Sequence, residues 1–396
     1  MTTTVTADDL TVVVVEHDAQ RVAIEQAGYD VTYRFVQPHN AAFWVYLLVV
    51  TAGALRMAQQ LGPFLEVFGG SILAGTIIFG IYTVPFWLFI NHLDRYEPQS
   101  RKLTAVAFIW GGFGATFGMA VTANDPIRAI YGKVLGQAFA FDWSAALTAP
   151  VVEEVAKACG LILIITMAPR LVRTAFDGAV LGAFIGLGFT VFEDVIYVLT
   201  GAISGFGADQ GAAISSTLVM RIVTGLVSHT VYSAIFGMGL VWLIGRPNEP
   251  RRIGRGLAFM AAAMVLHGLW DGMGAIGRGS ELGALASFVL LPALIITILV
   301  IGLRWSSRQE RRWLHDILQP EVTNGTITAD ELTALCGHHK DRKRYIKAHK
   351  GHTSHVHARH VLHAASDLAQ QIGRAGGVDS PEVAFGRAEV TRVRTV

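Results

Sequence analysis

Long apolar runs alternate with short polar ones from about residue 41 to about residue 304, and charged side chains crowd the chain on either side. A helix that crosses a bilayer needs roughly 20 mostly apolar residues. About eight segments reach that length, near residues 41–60, 64–91, 103–123, 143–168, 176–202, 216–245, 255–277 and 282–304. The pattern predicts an all-α, polytopic membrane protein, with the second and sixth segments long enough to cross at a tilt. Gly182, Gly186 and Gly188 share one such segment, which suits helices that pack closely in lipid.

Composition supports this division. The chain has 52% hydrophobic and 16% charged residues, against about 25% charged in soluble domains, and its mean hydropathy is +0.45. Three regions follow: a short leader over 1–40, partly disordered and without the pattern of a signal peptide; a membrane domain over 41–304; and a tail over 305–396. The net charge of +2 gives no reason to expect nucleic acid as a partner. Cys159 lies in an apolar run and Cys336 in the polar tail, so no disulfide framework is expected.

Lys and Arg counts set an orientation. The loops after the second, fourth, sixth and eighth segments carry Arg95, Arg101 and Lys102; Arg170 and Arg173; Arg246, Arg251, Arg252 and Arg255; and Arg304, Arg308, Arg311 and Arg312. The alternate loops hold only Arg56, Arg128 with Lys133, and Arg278. The bias predicts both termini on the cytoplasmic side, and the plasma membrane is the expected location.

Ionisable residues inside the spans change the picture most. Each costs at least a few kcal/mol in lipid, so a cluster of them points to function. The fourth segment holds Glu153, Glu154 and Lys157, the fifth Glu193, Asp194 and Tyr197, the sixth His229, and the seventh His267 and Asp271. Lys157 stands four residues from Glu153 and three from Glu154, so it can pair with either. Asp271 stands four residues from His267 and can fix its tautomer. Counted from the outer ends of the spans at about 1.5 Å per residue, Glu154, Glu193, His229 and His267 share one depth and can face one polar chamber. Histidines and carboxylates on separate helices, here His229, His267 and Glu193, can hold a divalent ion, with Zn²⁺ favoured by that donor set. A glutamate of the pair Glu153 and Glu154 can then deprotonate water. A metal-free route, with a carboxylate activating water and histidines stabilising the oxyanion, uses the same residues.

The order of these residues resembles a known family. Glu153-Glu154-Val-Ala-Lys157 fits EExxK, Phe192-Glu193-Asp-Val-Ile-Tyr197 fits FExxxY, His229 follows alone, and His267-Gly-Leu-Trp-Asp271 fits HxxxD. Together they resemble the PrsW family of intramembrane proteases, related to CAAX-type prenyl proteases, over about residues 70–275. The resemblance implies a membrane metalloprotease cutting a membrane-anchored protein, such as an anti-sigma-factor-like regulator. It places Glu153, Glu154, His229, His267 and Glu193 at the site, with Lys157, Tyr197 and Asp271 in support. A non-catalytic scaffold of the same ancestry and a proton-coupled transporter are the rival readings. Loss of a motif residue would favour the first, and an inverted repeat with broken helices the second.

In the tail, Trp313–Leu318 and Asp330–Leu335 read as helical, with Thr328 and Glu331 in capping-box register. The basic stretch His338–His363 holds eight histidines and reads as a surface for anionic lipid, with metal storage as the alternative. Residues 372–396 read as disordered.

Overall fold

A computed structural model describes residues 7–29, 31–278, 280–349 and 351–395. The first six residues of the leader lie outside it, as do the side chains of residues 7–15, Val223, Leu226, Ala284, His352 and Thr353. Among the described residues every regular element is a helix, apart from one isolated bridge between Arg246 and Glu249. In chain order these are α1 (Ala7–Ala27), α2 (Ala41–Leu61), α3 (Leu65–Leu93), α4 (Arg101–Ile109), a π-helical segment (Trp110–Ala120), α5 (Val121–Leu135), α6 (Gln137–Met167) and α7 (Ala175–Ser204). There follow α8 (Gln210–Thr224), α9 (His229–Ile244), α10 (Ile253–Asp271), the single turn α11 (Met273–Ile276), α12 (Glu281–Ser306), α13 (Arg308–Thr323), α14 (Ala329–Cys336), α15 (His339–Ala348), α16 (His352–Arg374) and α17 (Pro381–Thr395). They form two units, one of Tyr33–Asp94 with Gln99–Ser306, the other of the two terminal regions with Arg95–Pro98.

Among the described residues, five helical stretches are long and apolar enough to cross a membrane: Ala41–Leu93, Arg101–Leu135, Ala175–Ser204 and Ile253–Asp271 in the first unit, and Glu281–Thr323, of which the part up to Ser306 belongs to that unit. The chain is therefore a helical, polytopic membrane protein. The first stretch is interrupted between α2 and α3 by a 3-10 turn at Gly62–Phe64. Helix α6 matches these stretches in length, but Glu153, Glu154 and Lys157 near its middle reduce its apolar character. Helix α9 is apolar but has only 16 residues.

Two elements depart from the hydropathy pattern. The third span, expected over 103–123, runs on to Leu135 as α4, the π segment and α5. The stretch that carries Arg128 and Lys133 is therefore helix and not loop. The chain reverses into α6 through Gly136, whose φ of 92° is open to glycine and strained for most other residues. Asn124, Asp125 and Arg128 resemble a loop by polarity, yet they lie on one face of α5 and line a polar cavity. The sixth span, expected as one tilted helix over 216–245, is broken. Helix α8 ends at Thr224, a 3-10 turn covers Gly225–Val227, Ser228 is extended, and α9 starts at His229. Broken helices are tolerated at membrane depth where they line a cavity, and Ser228 and His229 do so.

Helix α7 is the centre of this unit, with every residue from Ala175 to Val191 buried. Its glycines let backbones meet. A Cβ on Gly182 would lie 2.2 Å from the Ser233 carbonyl oxygen, one on Gly186 2.2 Å from that of His229, and one on Gly188 2.0 Å from that of Phe108. The close packing expected from these glycines is thus present. Trp110, at the start of the π segment, donates from Nε1 to the Ala156 carbonyl at 3.0 Å and tethers that segment to α6. At the polar end of α7, Asp177 closes a capping box with Thr174 and accepts from the side chain of Gln99. The backbone N–H of Gln99 donates to Asp94 at 2.7 Å.

In the second unit, α1 packs with the tail helices around Trp313, Leu314, Ile317, Leu362 and Leu368. Gln20 Nε2 donates to the Ile317 carbonyl at 2.8 Å. Thr328 and Glu331 form the expected capping box. The expectation of disorder over 372–396 is corrected. Helix α17 buries Val383 and Val390, Arg387 grips Glu321 at 2.7 and 2.9 Å, and Arg394 reaches Glu331 at 2.6 Å. Composition suggested disorder because these counter-charges are more than 60 residues away. Helix α16 buries Val361, Leu362 and Ala365, while Arg359, His360 and His363 face outward.

The glycine contacts yield a test. Gly186→Ala drives a methyl group into fixed backbone, and overpacking of this kind costs about 1–3 kcal/mol. Gly80, on α3, has nothing within 4 Å of its would-be Cβ, so Gly80→Ala leaves stability level or slightly raised. Thermal unfolding in detergent micelles separates the two. Equal midpoints would contradict the close approach of α7 and α9.

Candidate active site

Four helices of the membrane unit bring the singled-out residues together. Helix α6 supplies Glu153, Glu154 and Lys157, α7 supplies Glu193, Asp194 and Tyr197, α9 begins with His229, and α10 ends with His267 and Asp271. Glu153, Glu193, Tyr197, His229, His267 and Asp271 line a cavity of about 360 Å³ together with Asn124, Arg221 and Tyr232. That volume lies in the range of small-molecule and active-site pockets.

Glu153 and Glu154 adjoin in sequence but face different surroundings. Glu154 is fully buried. Its Oε1 accepts from Lys157 Nζ at 2.8 Å, and its Oε2 accepts from the Ser233 hydroxyl at 3.1 Å. Glu153 lines the cavity. Its Oε1 accepts from Asn124 Nδ2 at 3.1 Å, while its Oε2 is buried with no hydrogen-bond partner. That oxygen lies 3.6 Å from His229 Nδ1, 3.8 Å from His267 Nε2 and 3.7 Å from Lys157 Nζ.

The histidines are held from both sides. His229 Nδ1 lies 3.0 Å from Lys157 Nζ and its Nε2 lies 3.0 Å from Glu193 Oε2. An ammonium can only donate and a carboxylate only accept, so this frame fits a neutral imidazole protonated at Nε2. His267 stacks on the Tyr232 ring at 4.9 Å with the planes 7° apart. Its Nε2 lies 3.5 Å from Asp271 Oδ2 and its Nδ1 lies 3.4 Å from Glu154 Oε1.

Glu193, expected as a metal ligand beside the histidines, instead turns Oε2 toward both His229 and Arg221 Nη2, each at 3.0 Å. Arg221 also pairs with Asp194, and its guanidinium lies 4.9 Å from the centre of the Tyr197 ring. By its position near the end of an apolar run, Arg221 has the pattern of a side chain that reaches out to water. Its place in the cavity could have been inferred, because a buried Glu193-Asp194 pair needs a cation and α8 carries one. Asn124 was missed because hydropathy ended the third span one residue before it. Tyr232 and Ser233 were missed because nothing in their spacing distinguishes them from packing residues.

Among the described residues, one group has three candidate ligand atoms close enough for a single ion. It comprises Glu153, His229 and His267, all buried, with those atoms within 4.8 Å of one another. Its donor chemistry fits a divalent metal. Two imidazoles and a carboxylate are the donors Zn²⁺ takes in catalytic sites, and the partnerless Glu153 Oε2 is a buried oxygen that an ion would satisfy. The tail histidines form no comparable group among the described residues.

Neither comparison with curated proteins nor comparison with solved structures gave a match. A family profile did match: that of the PrsW family intramembrane metalloproteases, over residues 99–301, just over half of the chain. That stretch runs from the cap of α4 into α12 and contains every residue of the buried cluster, so the chain belongs to the PrsW family of intramembrane metalloproteases.

Proposed function

We propose that this protease hydrolyses a peptide bond in a membrane-anchored protein, with Glu153, His229 and His267 holding a divalent ion, and that the ion is zinc. The observation that carries this reading is Glu153 Oε2, buried without a partner between two imidazoles at 3.6 and 3.8 Å. When bound, such an ion supplies Lewis-acid polarisation of water and of the scissile carbonyl.

The chain's own residues do the rest. The nitrogens that face Glu153 Oε2 are Nδ1 of His229 and Nε2 of His267. Glu193 holds the opposite nitrogen of His229 and Glu154 faces that of His267, as carboxylates do beside histidine ligands, while Lys157 would yield Nδ1 of His229 to an ion. Glu154, with both oxygens engaged, fixes the Lys157 ammonium. Glu193 receives the proton of the attacking water. It lines the cavity, and its Oε1 is free of the bonds that Arg221 and His229 make to Oε2. Arg221 keeps that carboxylate in place. The substrate is a protein held at the bilayer, and a regulator of the anti-sigma-factor kind fits that class. The Lys and Arg bias supports both termini on the cytoplasmic side, which agrees with an even number of passes, eight when α8 and α9 count as one interrupted pass, and the membrane we assign is the plasma membrane.

The test is cleavage of single-span membrane proteins by the purified chain. Treatment with 1,10-phenanthroline abolishes cleavage, and added Zn²⁺ restores it. Full cleavage after chelation, by protein shown to contain no metal, overturns the ion and leaves water activated by a carboxylate alone.

The two adjacent glutamates separate in a second experiment. Glu153→Gln lowers cleavage on the order of 10³-fold or more and removes zinc binding. Glu154→Gln retains zinc binding and loses stability, because Lys157 is left with weaker compensation in a dry site. Zinc titration and thermal unfolding of both variants check this. Zinc retained by Glu153→Gln, or lost equally by both, would contradict the assignment.

A further inference from the structure

Asn124 belongs to none of the motifs, yet it is hydrogen-bonded to the central carboxylate. Helix α5 presents Val121, Asn124, Asp125 and Arg128 to the cavity, a spacing of three, four and seven residues along one helical face. Asn124 Nδ2 donates to Glu153 Oε1 at 3.1 Å, the one hydrogen bond of its amide among the described residues. Its Oδ1 is buried with no partner. A buried amide oxygen left unpaired costs about 1–3 kcal/mol, so the contribution of this side chain lies in the bond its nitrogen makes to Glu153.

We propose that Asn124 is the positioning residue of the metal site. By holding Oε1, it fixes the plane of the Glu153 carboxylate and turns Oε2 toward His229 and His267. Lys157 Nζ stands 3.7 Å from that same Oε2. Without the amide, the carboxylate is free to rotate into an ordinary ion pair with Lys157 and withdraw from the imidazoles. This inference rests on the reading of Glu153, His229 and His267 as ligands. Groups that orient metal ligands typically contribute 10–100-fold to metal affinity.

The test uses the full-length chain in detergent and zinc alone as probe, with affinity read by competition against a chromogenic chelator. Asn124→Ala weakens zinc binding about 10–100-fold, while its unfolding midpoint without zinc stays at the wild-type value. Asn124→Gln, which keeps the donor one methylene further out, recovers part of the affinity. Lys133→Ala, exposed on the same helix, binds zinc like the wild type. Wild-type affinity in Asn124→Ala overturns the inference and leaves the ligand set standing. An equal fall in the zinc-free midpoint, or a Gln variant no better than Ala, assigns Asn124 to stability and overturns it too. A wild type that binds no zinc removes the ligand set, and the inference with it.

Discussion

Lys157 is the charge around which the site is built. A lone ammonium inside a bilayer is costly, and removing one partner of a buried ion pair typically costs about 3–5 kcal/mol. Here the ammonium meets Glu154 Oε1 at 2.8 Å, His229 Nδ1 at 3.0 Å and the face of Phe189 at 4.1 Å. Those contacts tie α6 to α7 and α9. They also leave Glu153 as the carboxylate of the pair whose second oxygen is unclaimed. One cation thus compensates the buried negative charge and sets which glutamate is available to a ligand.

Glycine makes that arrangement reachable. His229 can approach Lys157 because α9 begins where its backbone touches Gly186. It can begin there because the chain breaks at Gly225–Val227. A broken helix is a feature that transporters share, so by itself it does not separate the rival readings. The family match does, because it covers the break, the paired glutamates and both histidines together.

Much of this was legible in the sequence. The apolar runs gave the helical class, and the ionisable residues within them gave the cluster, because lipid penalises charge strongly enough for each exception to stand out. What hydropathy could not show was continuity. It ended the third span before Asn124, a polar residue that faces a cavity and not water outside the bilayer. It also joined α8 to α9, since a short turn of Gly225, Leu226 and Val227 is as apolar as the helices on either side. The choice between Glu153 and Glu154 was equally hidden. Adjacent residues project in directions about 100° apart on a helix, and only the positions of the neighbouring helices decide which one meets the cavity. The tail was misread for a related reason, as Arg387 and Arg394 look like unsupported charges until Glu321 and Glu331 are placed beside them.

The pairing of Glu154 with Lys157 within a single helix matters for how the protein is made. Helix α6 leaves the ribosome before α7, α9 and α10, so Glu193, His229 and His267 do not yet exist as partners when it must enter the lipid. A charged residue at the centre of an inserting segment is penalised by about 2.5–3.5 kcal/mol, and α6 carries three. Spaced three residues apart, Glu154 and Lys157 can neutralise each other on the nascent helix alone. Helix α6 therefore brings its own counter-charge through the translocon, and its later partners inherit a segment already able to stay in the membrane.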